Sequence, residues 1–213
     1  IGKPFKGLDI PYDYKHVLSF TDDPIEFRDK INLQVSSGNR DVPEGTFDAL
    51  MQVAACEQEL RWGSKNTTRR IVLIATDGTF HMAGEGRFGG IAKPNDAKCH
   101  LSNTVVNGGR LYDKSLELDY PTINQVYQRL LESRIYPIFA IFDDQKSAEG
   151  TEPAYKAIVE NWAAVGATLG ELDKTSSNII DLIQKSYDVS EIVLVLVYRD
   201  DNKQLSCQGY ATT

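Results

Sequence analysis

The sequence is poor in the features that settle a protein's class quickly. Cysteine is scarce: Cys56, Cys99 and Cys207 are three among 213 residues, too few and too scattered for a small disulfide-stapled scaffold and without metal-ligand spacing. No apolar run approaches the roughly 20 residues that a bilayer span needs; the longest cover residues 71–75 and 192–197. Basic charge is in deficit, 23 Lys and Arg against 30 Asp and Glu for a formal net charge of -7. No positive field is therefore available to condense on a phosphate backbone, and nucleic acid is not expected as a partner. The opening residues, Ile1-Gly2-Lys3-Pro4-Phe5, have neither the basic n-region nor the apolar core of a targeting signal. With no initiating Met, the chain is expected to be part of a longer one. Gly-x-Ser-x-Gly elbow, Walker loop and dinucleotide fingerprint are all missing, and His16, His81 and His100 stand apart from one another, which removes the usual sequence signs of an enzyme.

What is present is a chain with 41% hydrophobic residues, enough to bury one full core and hardly two. Apolar runs of strand length alternate with helical patterns, the pattern of an α/β doubly wound, mostly parallel sheet with helices on both faces. A strand is expected at 17–20. Asp23-Pro24 then caps a helix whose stripe is Phe27, Ile31 and Val35. A polar loop at 36–45 precedes a second helix, running to about Gln58, with Phe47, Leu50, Met51 and Ala54 as its apolar positions. Residues 70–76 form a near-continuous aliphatic run, as expected of a strand buried on both faces. Residues 79–119 carry little periodicity, and a connection of that length is expected to be functional or disordered. A helix opened by Pro121 follows, with Ile123, Val126, Tyr127 and Leu130 in its stripe. After it come a strand at 136–142, a helix at 152–163, a short strand at 167–169, a helix at 177–187 and a last strand at 191–198.

Two places could carry chemistry. Ligands of doubly wound sheets bind at the carboxyl ends of the strands, where Asp77 directly follows the most apolar run; Asp77-Gly78 is equally good turn chemistry. The loop Asn39-Arg40-Asp41-Val42-Pro43-Glu44 supplies two carboxylates, a carboxamide and several carbonyls in six positions, an all-oxygen set suited to calcium or magnesium. The same residues also read as a helix N-terminus with Pro43 and Glu44 complementing the dipole. The glycine-rich stretch 84–90 follows a turn and not a strand, so it is a flexible or ligand-facing loop instead of a phosphate cradle. Asp173-Lys174-Thr175-Ser176-Ser177 spells Asp-x-Thr-x-Ser, close to the Asp-x-Ser-x-Ser of metal-dependent adhesion domains, but just before the last long helix it fits a cap better. The odd cysteine count allows one internal pair plus a Cys207 bonded elsewhere, or three buried thiols. Asn66-Thr67-Thr68 is an acceptor sequon in a polar stretch.

The stretch Ser37-Gly38-Asn39-Arg40-Asp41-Val42-Pro43-Glu44-Gly45-Thr46-Phe47-Asp48-Ala49-Leu50-Met51-Gln52 strongly resembles the I-like domain of integrin β subunits. Tyr14-Lys15-His16-Val17-Leu18-Ser19-Phe20-Thr21, Ala75-Thr76-Asp77 with His81, and Gly89-Gly90-Ile91 with Pro94-Asn95-Asp96 and Cys99-His100 follow in family order. So do Asp119-Tyr120-Pro121 and Ser176-Ser177-Asn178, and the resemblance covers essentially the whole chain. It implies a von Willebrand factor A-type fold and a ligand-binding head domain of a cell-adhesion receptor β subunit, outside the cell at the plasma membrane. By the same resemblance Glu44 is the carboxylate ligand of a central magnesium or manganese ion that captures an acidic side chain of another protein. Asp77 is the aspartate beside that ion, and Asn39, Asp41, the Pro43 carbonyl and Glu44 hold a neighbouring calcium ion. Arg87 matches a basic residue that enters the β-propeller of an integrin α subunit, Cys56 and Cys99 match an internal disulfide, and Asn66 falls where relatives are glycosylated. Cys207 would belong to an adjoining hybrid domain. The implied partners are that α subunit and an extracellular-matrix or cell-surface ligand with an exposed carboxylate, with no membrane contact by this segment.

Departures from the family pattern set further expectations. The family's first strand, which ends in Asp-x-Ser-x-Ser, with the helix and second strand after it, should lie before Ile1. The sheet is therefore expected to lack its first strands, leaving an exposed slot between 71–76 and 17–20. Gly2 stands where the family usually has a calcium-ligating aspartate. The domain is expected to occupy residues 1–190, with 191–213 as the last strand and the start of a link to a hybrid domain. Two other classes remain: a metal-dependent hydrolase using Asp77 and Glu44 with His81 or His100 as base, and a soluble A-type interaction module without an α partner.

Overall fold

The aliphatic run at 70–76 becomes strand β2 (Arg70–Thr76), buried along its whole length. In the computed structural model, which describes residues 12–34, 43–106, 108–142, 150–186 and 193–198, it is an inner strand of a four-stranded parallel sheet. On one side lies β5 (Ile135–Ile141), in register from Arg70 opposite Ile135 to Thr76 opposite Ile141. On the other lies β7 (Val193–Tyr198), from Arg70 opposite Val193 to Ala75 opposite Tyr198. The short β6 (Thr168–Glu171) adds to the far side of β5. Alternate side chains of β2 enter different cores: Val72 and Ile74 join Phe47, Leu50, Val126, Leu130 and Trp162, while Ile71, Leu73 and Ala75 pack with Ile138, Ala140, Leu172 and Ile183. Both faces are covered, which is why the run shows no polar alternation. The architecture is α/β, with a parallel sheet between helical layers.

Helix α2 (Thr46–Ala55) is buried from Thr46 through Ala54 because it lies inside the larger layer. Phe47 stacks on Phe80 at 4.3 Å, and Phe80 meets Tyr155 edge-on at 5.2 Å. A short helix, α3 (Glu57–Leu60), continues from its end. Helix α4 (Ile123–Ser133) begins one residue after its cap, Thr122, whose hydroxyl accepts from Gln125 N while the Gln125 side chain accepts from Thr122 N. That reciprocal box, and not Pro121, opens the helix. Helix α5 (Thr151–Asn161) buries Tyr155 and Ile158 in the same layer, and α6 (Ile179–Ser186) buries Ile183 on the opposite face. Helix α1 (Pro24–Asn32) is capped by Asp23 as expected but buries no residue. Phe27 and Ile31 are half-buried, and Val35 lies outside the described residues.

Two further expectations need correction. Residues 17–20 are not a strand. The strand is β1 (Lys15–His16), antiparallel to β4 (Gly109–Tyr112), which pairs with β3 (Leu101–Val106) in a separate three-stranded sheet. The apolar residues that follow are held from the side: Phe20 N donates to Leu60 O and the Phe20 ring meets Trp62 edge-on at 4.7 Å. The slot expected beside β2 is filled, since β7 pairs there. Residues 79–119 are ordered by a 3-10 helix at Glu85–Gly89 and by the β3–β4 hairpin; the hairpin's central residues are exposed and leave no buried pattern to detect. Cys56 is bonded to Cys99, joining the end of α2 to the segment that enters β3. Cys207 lies outside the described residues.

Candidate metal-dependent binding site

The candidate site forms at the carboxyl end of β2. Glu44 N donates to Thr79 O at 2.8 Å and His81 N to Glu44 O at 2.9 Å, so the residues before α2 lie parallel to those leaving β2. Glu44 is half-buried and Asp77, two residues before Thr79, is exposed. The turn is held by Thr76, whose hydroxyl accepts from Gly78 N, and the Asp77 carbonyl accepts from Thr151 Oγ1 at 2.9 Å, tying the turn to α5. Gly45 has to be glycine, because a Cβ there would lie 2.6 Å from Asp13 O. This construction brings Glu44, Asp77 and the Pro43 carbonyl to one rim. Asn39 and Asp41 lie outside the described residues. No group of three His, Cys, Asp or Glu able to hold a metal occurs among the described residues. Carboxylate and carbonyl oxygens at an exposed rim fit a hard cation that keeps positions open, and do not fit a thiolate-bound metal.

Beside the rim, the 3-10 helix presents Arg87 to solvent, and its neighbour Phe88 is 95% exposed. Arg87 makes no ion pair among the described residues. The loop beneath it is fixed firmly: Asp119 accepts from Gly84 N at 2.7 Å, Gly86 N at 2.9 Å and Tyr120 N at 2.9 Å. His81 pairs through Nδ1 with Glu85 and stacks on Tyr120, with ring centroids 4.5 Å apart. His100 pairs through Nε2 with Asp96 at 2.9 Å.

Asp48, which the sequence reading passed over, belongs to this neighbourhood. It is 2% exposed on the first turn of α2, and Asn95 Nδ2 donates to it at 3.3 Å and to Asp119 O at 3.3 Å. Burial, and then the Asp13 and Asp119 carboxylates, push its carboxyl well above the usual range. The available signal was an acid set among the buried apolar positions Phe47, Leu50 and Met51. Asn66 lies exposed in a turn, its N–H donating to Ser64 Oγ. Asp173 accepts from the backbone and hydroxyl of both Thr175 and Ser177, so its motif is a turn leading into α6.

Residues 3–192 match the family described as integrin beta chain VWA domain. Integrin beta-2 of Sus scrofa is 40% identical over 183 residues, 86% of this chain and 22% of the relative. Integrin beta-1-B of Xenopus laevis is 41% identical over 186 residues, 87% and 21% respectively. Integrin beta-7 of Homo sapiens is 38% identical over 178 residues, 84% and 20%. The chain spans about a fifth of the length of these relatives.

Proposed function

Because the chain belongs to the integrin β-chain VWA-domain family, we propose that it is the ligand-binding head domain of a cell-adhesion receptor β subunit, extracellular at the plasma membrane. Integrin β chains are adhesion receptors and not enzymes, and the output expected here is binding. The observation that supports the reading is the pairing of Glu44 with Thr79 and His81, which ties the residues before α2 to those leaving β2.

In this reading Glu44 would hold a central magnesium or manganese ion, with Asp77 beside it. Asn39, Asp41, the Pro43 carbonyl and Glu44 hold calcium alongside. The bound cation supplies a Lewis-acid position that a carboxylate from an extracellular-matrix or cell-surface protein completes. The chain's own residues keep that position open: Gly45 admits the close approach of residue 13, and Thr151 holds the Asp77 turn. Arg87, presented beside exposed Phe88, docks the integrin α subunit in a heterodimer. The Cys56–Cys99 bond accords with an oxidising compartment, and exposed Asn66 is the glycosylation site. Residues 1–190 form the head domain, and 191–213 its last strand and the start of a link to a hybrid domain. No helix among the described residues is long and apolar enough to cross a membrane.

The test is manganese binding by electron paramagnetic resonance on the full chain, on Glu44→Ala and on Arg87→Glu. Loss of the bound-manganese signal in Glu44→Ala, with its retention in Arg87→Glu, is expected. Undiminished binding in Glu44→Ala would refute the assignment.

A further inference from the structure

Asp48, Asn95 and Asp119 have a consequence that reaches beyond metal capture and does not depend on what the rim binds. The carboxyl of Asp48 is closed off from solvent, and the only hydrogen bond to it among the described residues is a long one from the Asn95 amide. The charged groups acting on it, Asp13 from the amino-terminal segment and Asp119 from the loop before α4, are both acidic. From β4, Tyr112 also comes close: its phenol is 2% exposed, and Asp48, Asp13 and Asp96 all act on it. Asp119, by contrast, is fully engaged as an acceptor, with three backbone N–H groups on its two oxygens. Two of those donors, Gly84 and Gly86, lie just before Arg87 in its loop, and a Cβ on Gly86 would lie 2.5 Å from Asp119 Oδ1.

We propose that Asp48 is a neutral carboxylic acid in the folded protein, and that its retained proton spares the Asp119 clamp of the Arg87 loop a buried negative charge beside it. Asn95 bridges the two, donating to the Asp48 carboxyl and to the Asp119 carbonyl. Were Asp48 ionised, its charge would be buried against two further acids with one long donor, a state that burial disfavours. The proton removes that charge and turns an acceptor-only group into one that can also donate. Asp48 and Asp119 are thus positioning residues for the loop. The linkage has a definite sign: a carboxyl whose folded value is raised favours folding below its unfolded value of 3.8 and loses that contribution as pH rises through the folded value.

The experiment uses the full chain with carboxyl-labelled aspartate, together with Asp48→Asn and Asp119→Asn. Infrared spectroscopy at neutral pH is expected to show the carbonyl band of one protonated, solvent-shielded acid, absent from Asp48→Asn. Hydrogen exchange of the Gly84 and Gly86 amides is expected to stay slow in Asp48→Asn, which mimics the neutral acid. It should accelerate at least about tenfold in Asp119→Asn, as expected when one of the two acceptor oxygens becomes an NH2 group that cannot accept. If Asp48→Asn fails to fold, the labelled unmodified chain decides alone. Absence of a protonated-acid band at neutral pH overturns the proposal, as does unchanged exchange at both glycines in Asp119→Asn.

Discussion

Reduction of the Cys56–Cys99 bond gives the sharpest measure of how this domain is held. The two cysteines are 43 residues apart in sequence, and the chain they enclose contains β2, Asp77 and the Arg87 loop. In the chain-entropy account, closing a loop of that length removes about 13 cal/mol/K from the unfolded ensemble, or about 4 kcal/mol at room temperature. Breaking the bond returns that freedom and leaves the native packing nearly unchanged, because both sulfurs stay in place. Cys56→Ala/Cys99→Ala should cost about 1 kcal/mol more, since Cys56 is only 2% exposed and truncation leaves space around it. The assay is urea unfolding followed by circular dichroism, oxidised against reduced and against the double variant. With a slope of about 2–3 kcal/mol/M, reduction should lower the midpoint by about 1.5–2 M. A shift below about 0.5 M would mean that the unfolded chain is already constrained between these residues, and the entropic reasoning would fail.

Three other outcomes are expected. Arg70 is buried and donates to Gly63 O, Ser133 O and the Glu57 carboxylate. Arg70→Met preserves bulk but strands those acceptors, at a cost of about 3–5 kcal/mol and a fall in melting temperature of about 10 °C; a fall below about 3 °C would contradict this. Gly86→Ala drives a methyl into Asp119 and should destabilise by about 1–3 kcal/mol, and faster exchange at the Gly84 amide identifies the loop as the place where the strain is felt. For Glu57, burial pulls the carboxyl upward, but the hydrogen bond and charge of Arg70 more than reverse it and the net shift is downward. Its contribution is therefore full above its ordinary value of 4.5 and is lost as pH falls through the lowered folded value. Acid titration of stability should accordingly show a shallower limb in Glu57→Gln, and an unaltered limb would assign the acid sensitivity elsewhere.

The main sheet was legible wherever burial on both faces wrote a continuous apolar run, as at Arg70–Thr76 and Ile135–Ile141. Helices with a clear stripe or cap, such as those carrying Phe47 and Val126, were equally readable. The small sheet was not, because β1 is two residues long and most of β3 faces solvent, so neither leaves a periodic trace. Val17-Leu18-Ser19-Phe20 looked like a strand because side-chain chemistry alone does not distinguish a ladder from a segment held by Trp62 and Leu60. At the rim, the pairing of Glu44 with residues after β2 is a tertiary event, and only the family resemblance brought Glu44 and Asp77 together in advance. Asp48 shows the limit on the other side: its residue type suggested surface, and only burial among other acids reveals its role.

The position of β7 sets the order of events as the chain is made. β2 is the first strand of its sheet to be synthesised, yet Arg70 waits for Ile135 on one side and for Val193 on the other. Seven buried residues keep two open edges until Ile135 has emerged and one until Val193 has, and such long-range parallel pairing is slow. Nascent chains of this protein should depend most on chaperone protection in the interval after β2 emerges and before β5 arrives, and the stall point of a translation series would show it.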